Sequence, residues 1–148
     1  MISTTPLAAA TRTCDSFTVL GIQVTPKVSA SDTNGQFSII EEVVPPGLGV
    51  PPNIGHMETR VFYVVSGEFS MQVGAVTRRL TAGDTLFAPA GAINGFLNVG
   101  AEPGKLLATF TPSGHEDFLR ELSDMIQGEP SDQEIADLFA RYGIEMAG

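Results

Sequence analysis

The 148-residue sequence has no tryptophan, one cysteine, two histidines and two lysines, and most of these shortages close off a class of function. Cys14 stands alone, so the chain cannot close an internal disulfide, and a reducing cytoplasm is its simplest home. Lys27 and Lys105 are the only lysines in a chain of net charge −9, which argues against nucleic acid and against an anionic membrane surface as partners. No apolar run approaches a membrane span, and the N-terminus lacks a basic region before its short apolar stretch, so no secretory signal is expected. Phosphate loops, nucleophile elbows, zinc spacings and nucleotide fingerprints are also missing. What the chain has in quantity is apolar residues (43%), 16 glycines and 10 prolines, the make-up of a turn-rich β protein with one sizeable core.

Residues 1–16, rich in Thr, Ala and Ser, read as a loose arm before a body at 17–112 and a tail at 113–148. Residues 17–24 read as a first strand, and Asn34-Gly35 as the pair of a tight hairpin. Residues 37–44 form a second strand containing Glu41-Glu42. Adjacent strand residues face opposite sides, so one of these carboxylates points inward whichever register holds. Pro45-Pro46-Gly47 and Pro51-Pro52 keep the next connection rigid and extended. In the tail the period changes. Ser113 with Glu116 and Ser131 with Glu134 have capping-box spacing, ahead of helices at His115–Gln127 and 132–142. The stripes Phe118, Leu122, Met125, Ile126 and Ile135, Leu138, Phe139, Tyr142 are expected to pack on the body.

The centre of the chain is the stretch 49–98, with hairpin arms at 60–65 and 69–73 and a second strand pair around 86–88 and 94–98, cornered by Gly and Pro. It resembles the cupin superfamily, whose two signatures are G-x5-H-x-H-x(3,4)-E-x6-G and G-x5-P-x-G-x2-H-x3-N. The second is matched at Gly83, Pro89, Gly91 and Asn98, with Asn94 in the histidine's place. The first is anchored by Gly67, and Arg60 stands where the glutamate would be. Counting back, the histidines fall on Asn53 and Gly55, or on Ile54 and His56 with the shorter spacing. The resemblance extends over about 17–144 and implies an all-β, jelly-roll-like barrel with a short C-terminal helical tail. Small cupins commonly pair through N-terminal strands, so a homodimer is expected.

In metal-dependent cupins, imidazoles and one carboxylate converge on a transition metal. An amide is a weak substitute, Gly offers no side chain, and the guanidinium of Arg60 stays protonated. At roughly 5 Å from a dication, with an effective dielectric near 20, it would repel the metal by about 6–7 kcal/mol. No metal or other cofactor is therefore expected.

If the resemblance holds, Arg60, Phe62 and Val64 face the barrel lumen, with Phe69, Met71, Val73, Asn94 and Phe96 opposite them and Asn53 beside them. A buried cation needs a partner, and the inward member of Glu41/Glu42 is the first candidate. Arg60 and Asn94 would hold a developing oxyanion, while a glutamate or His56 moves the proton. His115 is expected at the rim, and Glu58 on an exposed segment. Family members include isomerases, dehydratases and cyclases, so the expected function is metal-independent proton transfer on a small apolar or aromatic metabolite in the lumen. A non-catalytic binder or structural cupin is the alternative, and a metal enzyme with relocated ligands His56 and Glu58 ranks last.

Overall fold

Burial alternates strictly along Ser38–Val44, with Ser38, Ile40, Glu42 and Val44 inward, and along Gly104–Thr111, with Leu106, Ala108 and Phe110 inward. These are central strands of a barrel wall in the computed structural model, which describes residues 5–8 and 15–147. Cys14 and most of the expected N-terminal arm lie outside the described residues. The elements run β1 (Phe17–Val19), β2 (Ile22–Val28), α1 (Ala30–Thr33), β3 (Ser38–Val44), β4 (Gly49–Gly55), β5 (Thr59–Ser66), β6 (Glu68–Val73) and β7 (Val76–Thr81). They continue with β8 (Thr85–Ala88), β9 (Ile93–Asn98), β10 (Gly104–Thr111), α2 (His115–Gln127), α3 (Asp132–Arg141) and β11 (Ile144–Met146).

Two antiparallel sheets face each other. One has the order β1-β2-β3-β10-β5-β8 and the other β11-β4-β9-β6-β7. This is the expected all-β barrel with a helical tail. Between the sheets pack Ile40, Val44, Val64, Phe69, Met71, Leu106 and Phe110, all nearly inaccessible. None of the helices among the described residues is long and apolar enough to cross a membrane.

Three local expectations change. The strand expected over 17–24 is a hairpin, because Leu20 and Gly21 both take positive φ and fold β1 onto β2 through a two-residue turn. Asn34-Gly35 is not a two-residue hairpin turn. Asn34 is the left-handed C-cap of α1, and β2 and β3 pair across that short helix. Pro51-Pro52 lies inside β4, at a bulge where the register against β9 shifts between Val50 and Asn53. A Cβ on Gly95 would stand 2.9 Å from the backbone of Val50 and Pro52, so only glycine lets β9 pass the bulge.

The tail closes one end of the barrel. Ser131 and Glu134 form the expected capping box, whereas the N-cap of α2 is Gly114 and not Ser113. There the Glu116 carboxylate accepts from the Gly114 N–H at 3.1 Å and from the Ala30 N–H at 2.9 Å, tying together the starts of α1 and α2. After α3 the chain adds β11 to the edge of β4. Leu138 is fully buried and Phe139 stands edge-on to Phe118. Leu138→Ala should therefore lower stability by about 2–5 kcal/mol. Urea unfolding checks this, and an unchanged midpoint would detach α3 from the folded unit.

Candidate functional site

The β4 bulge turns Asn53 inward opposite Asn94 of β9. The two amides fix one another: Asn53 Nδ2 donates to the Asn94 carbonyl at 3.2 Å, and Asn94 Nδ2 to the Asn53 carbonyl at 3.4 Å. Further bonds to the Pro51 carbonyl (3.0 Å) and the Ala92 carbonyl (3.1 Å) use the remaining amide protons. Both side-chain oxygens are thereby aimed at β5, where Arg60 Nη1 donates to Asn53 Oδ1 at 2.6 Å and to Asn94 Oδ1 at 3.2 Å. Arg60 Nη2 donates to Glu58 Oε1 at 3.2 Å. A Cβ at residue 55 would lie 2.7 Å from Nη2, so the guanidinium rests on Gly55 and fills the room where a larger side chain would project. The first-signature places are thus Asn53 and Gly55, the longer of the two spacings, and Arg60 occupies the space between them.

Glu58 and His115 complete the cluster, and the sequence reading missed both. Glu58 is buried, and His115 Nδ1 lies 2.9 Å from its Oε1. The His115 ring stacks on Phe110, centroids 4.2 Å apart and planes 8° from parallel. Burial alone would raise the Glu58 pKa, but the hydrogen bond and charge of His115, together with Arg60, outweigh it and hold the carboxyl below its usual value. The sequence did carry a signal for Glu58. It lies two residues before Arg60, which on an extended chain is the same face. For His115 there was none, because its position depends on where α2 docks.

Of the paired glutamates, Glu42 is the inward one. Glu41 faces out between Lys27 (3.8 Å) and Lys105 (3.9 Å), which removes it from the site. Glu42 is 5% exposed, and no described residue donates a hydrogen bond to it. Burial pushes its pKa up from 4.5 to about 7, partly offset by the charge of Arg60. It lines a cavity of about 210 Å³ bounded by Arg60, Asn53, Phe62, Phe96, Phe110 and His115 inside the barrel. Phe118, Leu122 and Phe139 of the two helices bound it from the tail side, and Leu20 of the β1–β2 hairpin lines its exposed rim.

Several expected site residues are elsewhere. His56 is half exposed, its Nε2 2.7 Å from Glu145 of β11, and takes no part in the cavity wall. Val64, Phe69 and Met71 are core behind the cavity, with Phe69 edge-on to Phe96, and Val73 is partly buried against that core. Asn94 spends both ends of its amide on the protein, so it positions Arg60 and has no donor left for an oxyanion. The inward glutamate is also not the hydrogen-bonded partner of Arg60, a place taken by Glu58. The relocated ligand pair His56 and Glu58 is split between the surface and the interior. Among the described residues no three His, Cys, Asp or Glu side chains are grouped to hold a metal. The residues at the family's ligand places do not fit one, since their centre is a guanidinium.

The fold is thus a two-sheet antiparallel barrel with an inward polar cluster at the ends of β4, β5 and β9. Residues 40–110 match the family model described as a cupin domain. An RmlC-like cupin from Shewanella frigidimarina NCIMB 400 is 30% identical, with 66% of this chain aligned to 81% of that one at a TM-score of 0.56. The chain belongs to the cupin superfamily. It is also 39% identical over 69 residues to the H2HPP isomerase of Bacillus subtilis, covering 46% of this chain and 29% of that protein. With the quercetin 2,3-dioxygenase of Bacillus subtilis (strain 168) it is 26% identical over 97 residues, 66% of this chain and 28% of that one. The chain therefore spans under a third of the curated relatives it matches.

Proposed function

We propose that the protein is a metal-independent enzyme of isomerase type, which moves a proton on a small, largely apolar or aromatic molecule held in the barrel cavity. The observation that carries this reading is Glu42: a buried carboxyl with no hydrogen-bond donor among the described residues, on the wall of an apolar cavity, half ionised near neutral pH. A carboxylate in that setting is a stronger base than one in water, and a pKa near the working pH suits both removal and return of a proton. Arg60 supplies fixed positive charge on the same wall, and its Nε–H has no acceptor among the described residues. It would face negative charge developing on the substrate. Similarity to a protein named an isomerase supports the class, and similarity to one named a dioxygenase keeps the names from deciding the reaction.

A second reading, a non-catalytic binder, is favoured by one observation. Arg60, Asn53 and Asn94 direct most of their polar atoms at each other, leaving few groups free to act. A generic base probe separates the two. The compound 5-nitrobenzisoxazole opens when a base takes its ring C–H proton: the N–O bond breaks, a nitrile forms and the oxygen leaves as phenolate. The expected result is turnover by exhaustively chelated protein, rising with pH through about 7. Turnover should fall about 10²–10⁴-fold in Glu42→Gln. Equal turnover by that variant, or none by either protein, leaves the binder reading. Turnover lost on chelation overturns metal independence.

A further inference from the structure

The cavity has two chemically different ends, and burial tells them apart. Glu42 and Arg60 (3% exposed) are deep, whereas Leu20 and Met146 line the same cavity at 71% and 47% exposure. Leu20 is the less expected of the two. It sits at φ +48° at the tip of the β1–β2 turn, a place for Asn or Gly, and it is open to water. Neither backbone preference nor core packing accounts for a leucine there. Met146 approaches from β11, on the opposite sheet. The volume, about 210 Å³, is below the roughly 300 Å³ at which ligand sites usually begin, so a molecule of ordinary metabolite size must extend into the mouth.

We propose that the ligand is amphipathic: an acidic, oxygen-bearing head seated against Glu42 and Arg60, and an apolar chain or ring that leaves through the mouth over Leu20 and Met146. The head is an oxygen acid because the unpaired donor on that wall, the buried Nε–H of Arg60, calls for an acceptor, which an ammonium group lacks. A carboxylate or enolate supplies that acceptor and, once Glu42 is protonated, meets a second donor. This assignment rests on the reading that the barrel cavity is the ligand site, and it holds for an enzyme and for a binder alike.

Calorimetric titration with straight-chain carboxylates from butanoate to dodecanoate tests it, with the matching alkylamines as controls. Each methylene buried should raise affinity about fourfold, and the rise should continue past the length that fills the closed part of the cavity. In the double variant Leu20→Asn, Met146→Gln, affinity for decanoate should drop about tenfold while affinity for butanoate stays within about twofold. Both positions are exposed, and Asn suits the turn, so the fold is not at risk. The proposal is overturned if no carboxylate binds, if the amines bind better, if affinity ignores chain length, or if the double variant weakens short and long chains equally. The benzisoxazole assay reads Glu42 as a base whatever lies at the mouth, so the two proposals fail separately.

Discussion

Replacing Arg60 by methionine should lower the stability of the fold by about 3–5 kcal/mol, the scale for stranding one member of a buried charged network. Arg60 makes three hydrogen bonds across strands β5, β4 and β9 and to the β4–β5 corner. Methionine keeps the length and removes every donor. The Asn53 and Asn94 side-chain oxygens then face each other without a proton between them, and Glu58 keeps only His115. Each stranded polar group costs about 1–3 kcal/mol, and more if charged. Arg60→Lys should rescue little, since one ammonium cannot reach three acceptors that a planar fork meets. Adding Glu58→Gln to Arg60→Met should return part of the loss, because the uncompensated charge goes with it. Denaturant unfolding of the three variants decides the matter. A midpoint unmoved by Arg60→Met would mean that the guanidinium is wetted by the lumen and serves the ligand alone.

The sequence made the barrel legible because its signals are local. Gly67, Gly83, Pro89 and Gly91 mark the corners, and alternation marks the strands β3, β5 and β10. It also led to Arg60, by the place it holds in the first signature. Errors arose where a local rule met a tertiary exception. Pro-Pro removes two ladder donors and reads as a connection, yet here it forms the bulge of a strand and brings Asn53 to Asn94. Glu58 falls on a segment that the family signature leaves exposed, although strand periodicity places it beside Arg60. Glu41 and Glu42 could not be told apart without knowing the register of β3 against β10, where Glu42 is opposite Leu106. His115 belongs to the site only because α2 docks with its first turn over Phe110, held by Glu116 bridging to α1. No spacing in the chain announces that contact.

Glu42→Gln should make the protein more stable at pH 8 by about 3 kcal/mol, while leaving it nearly unchanged at pH 4. The sign follows from where the proton sits. Below the unfolded value of 4.5, Glu42 is protonated in both states and the fold incurs no penalty. Between 4.5 and about 7 the unfolded chain releases the proton and the folded one retains it, so stability falls as pH rises. Above about 7 the folded protein must hold a desolvated carboxylate, only partly compensated by Arg60, and the loss is complete. Glutamine is nearly isosteric and does not titrate, so the difference between the two unfolding free energies isolates this one group. Measured at pH 4, 6 and 8, that difference should grow in favour of the variant between 4.5 and about 7 and level off above, while the benzisoxazole rate of the parent rises around 7, where the folded carboxyl ionises. A base that is useful because it is poorly solvated must be costly to keep, and here both effects come from the same proton. A difference that stayed flat with pH would show Glu42 to be hydrated and ordinary, and the proton-transfer reading would lose the group it depends on.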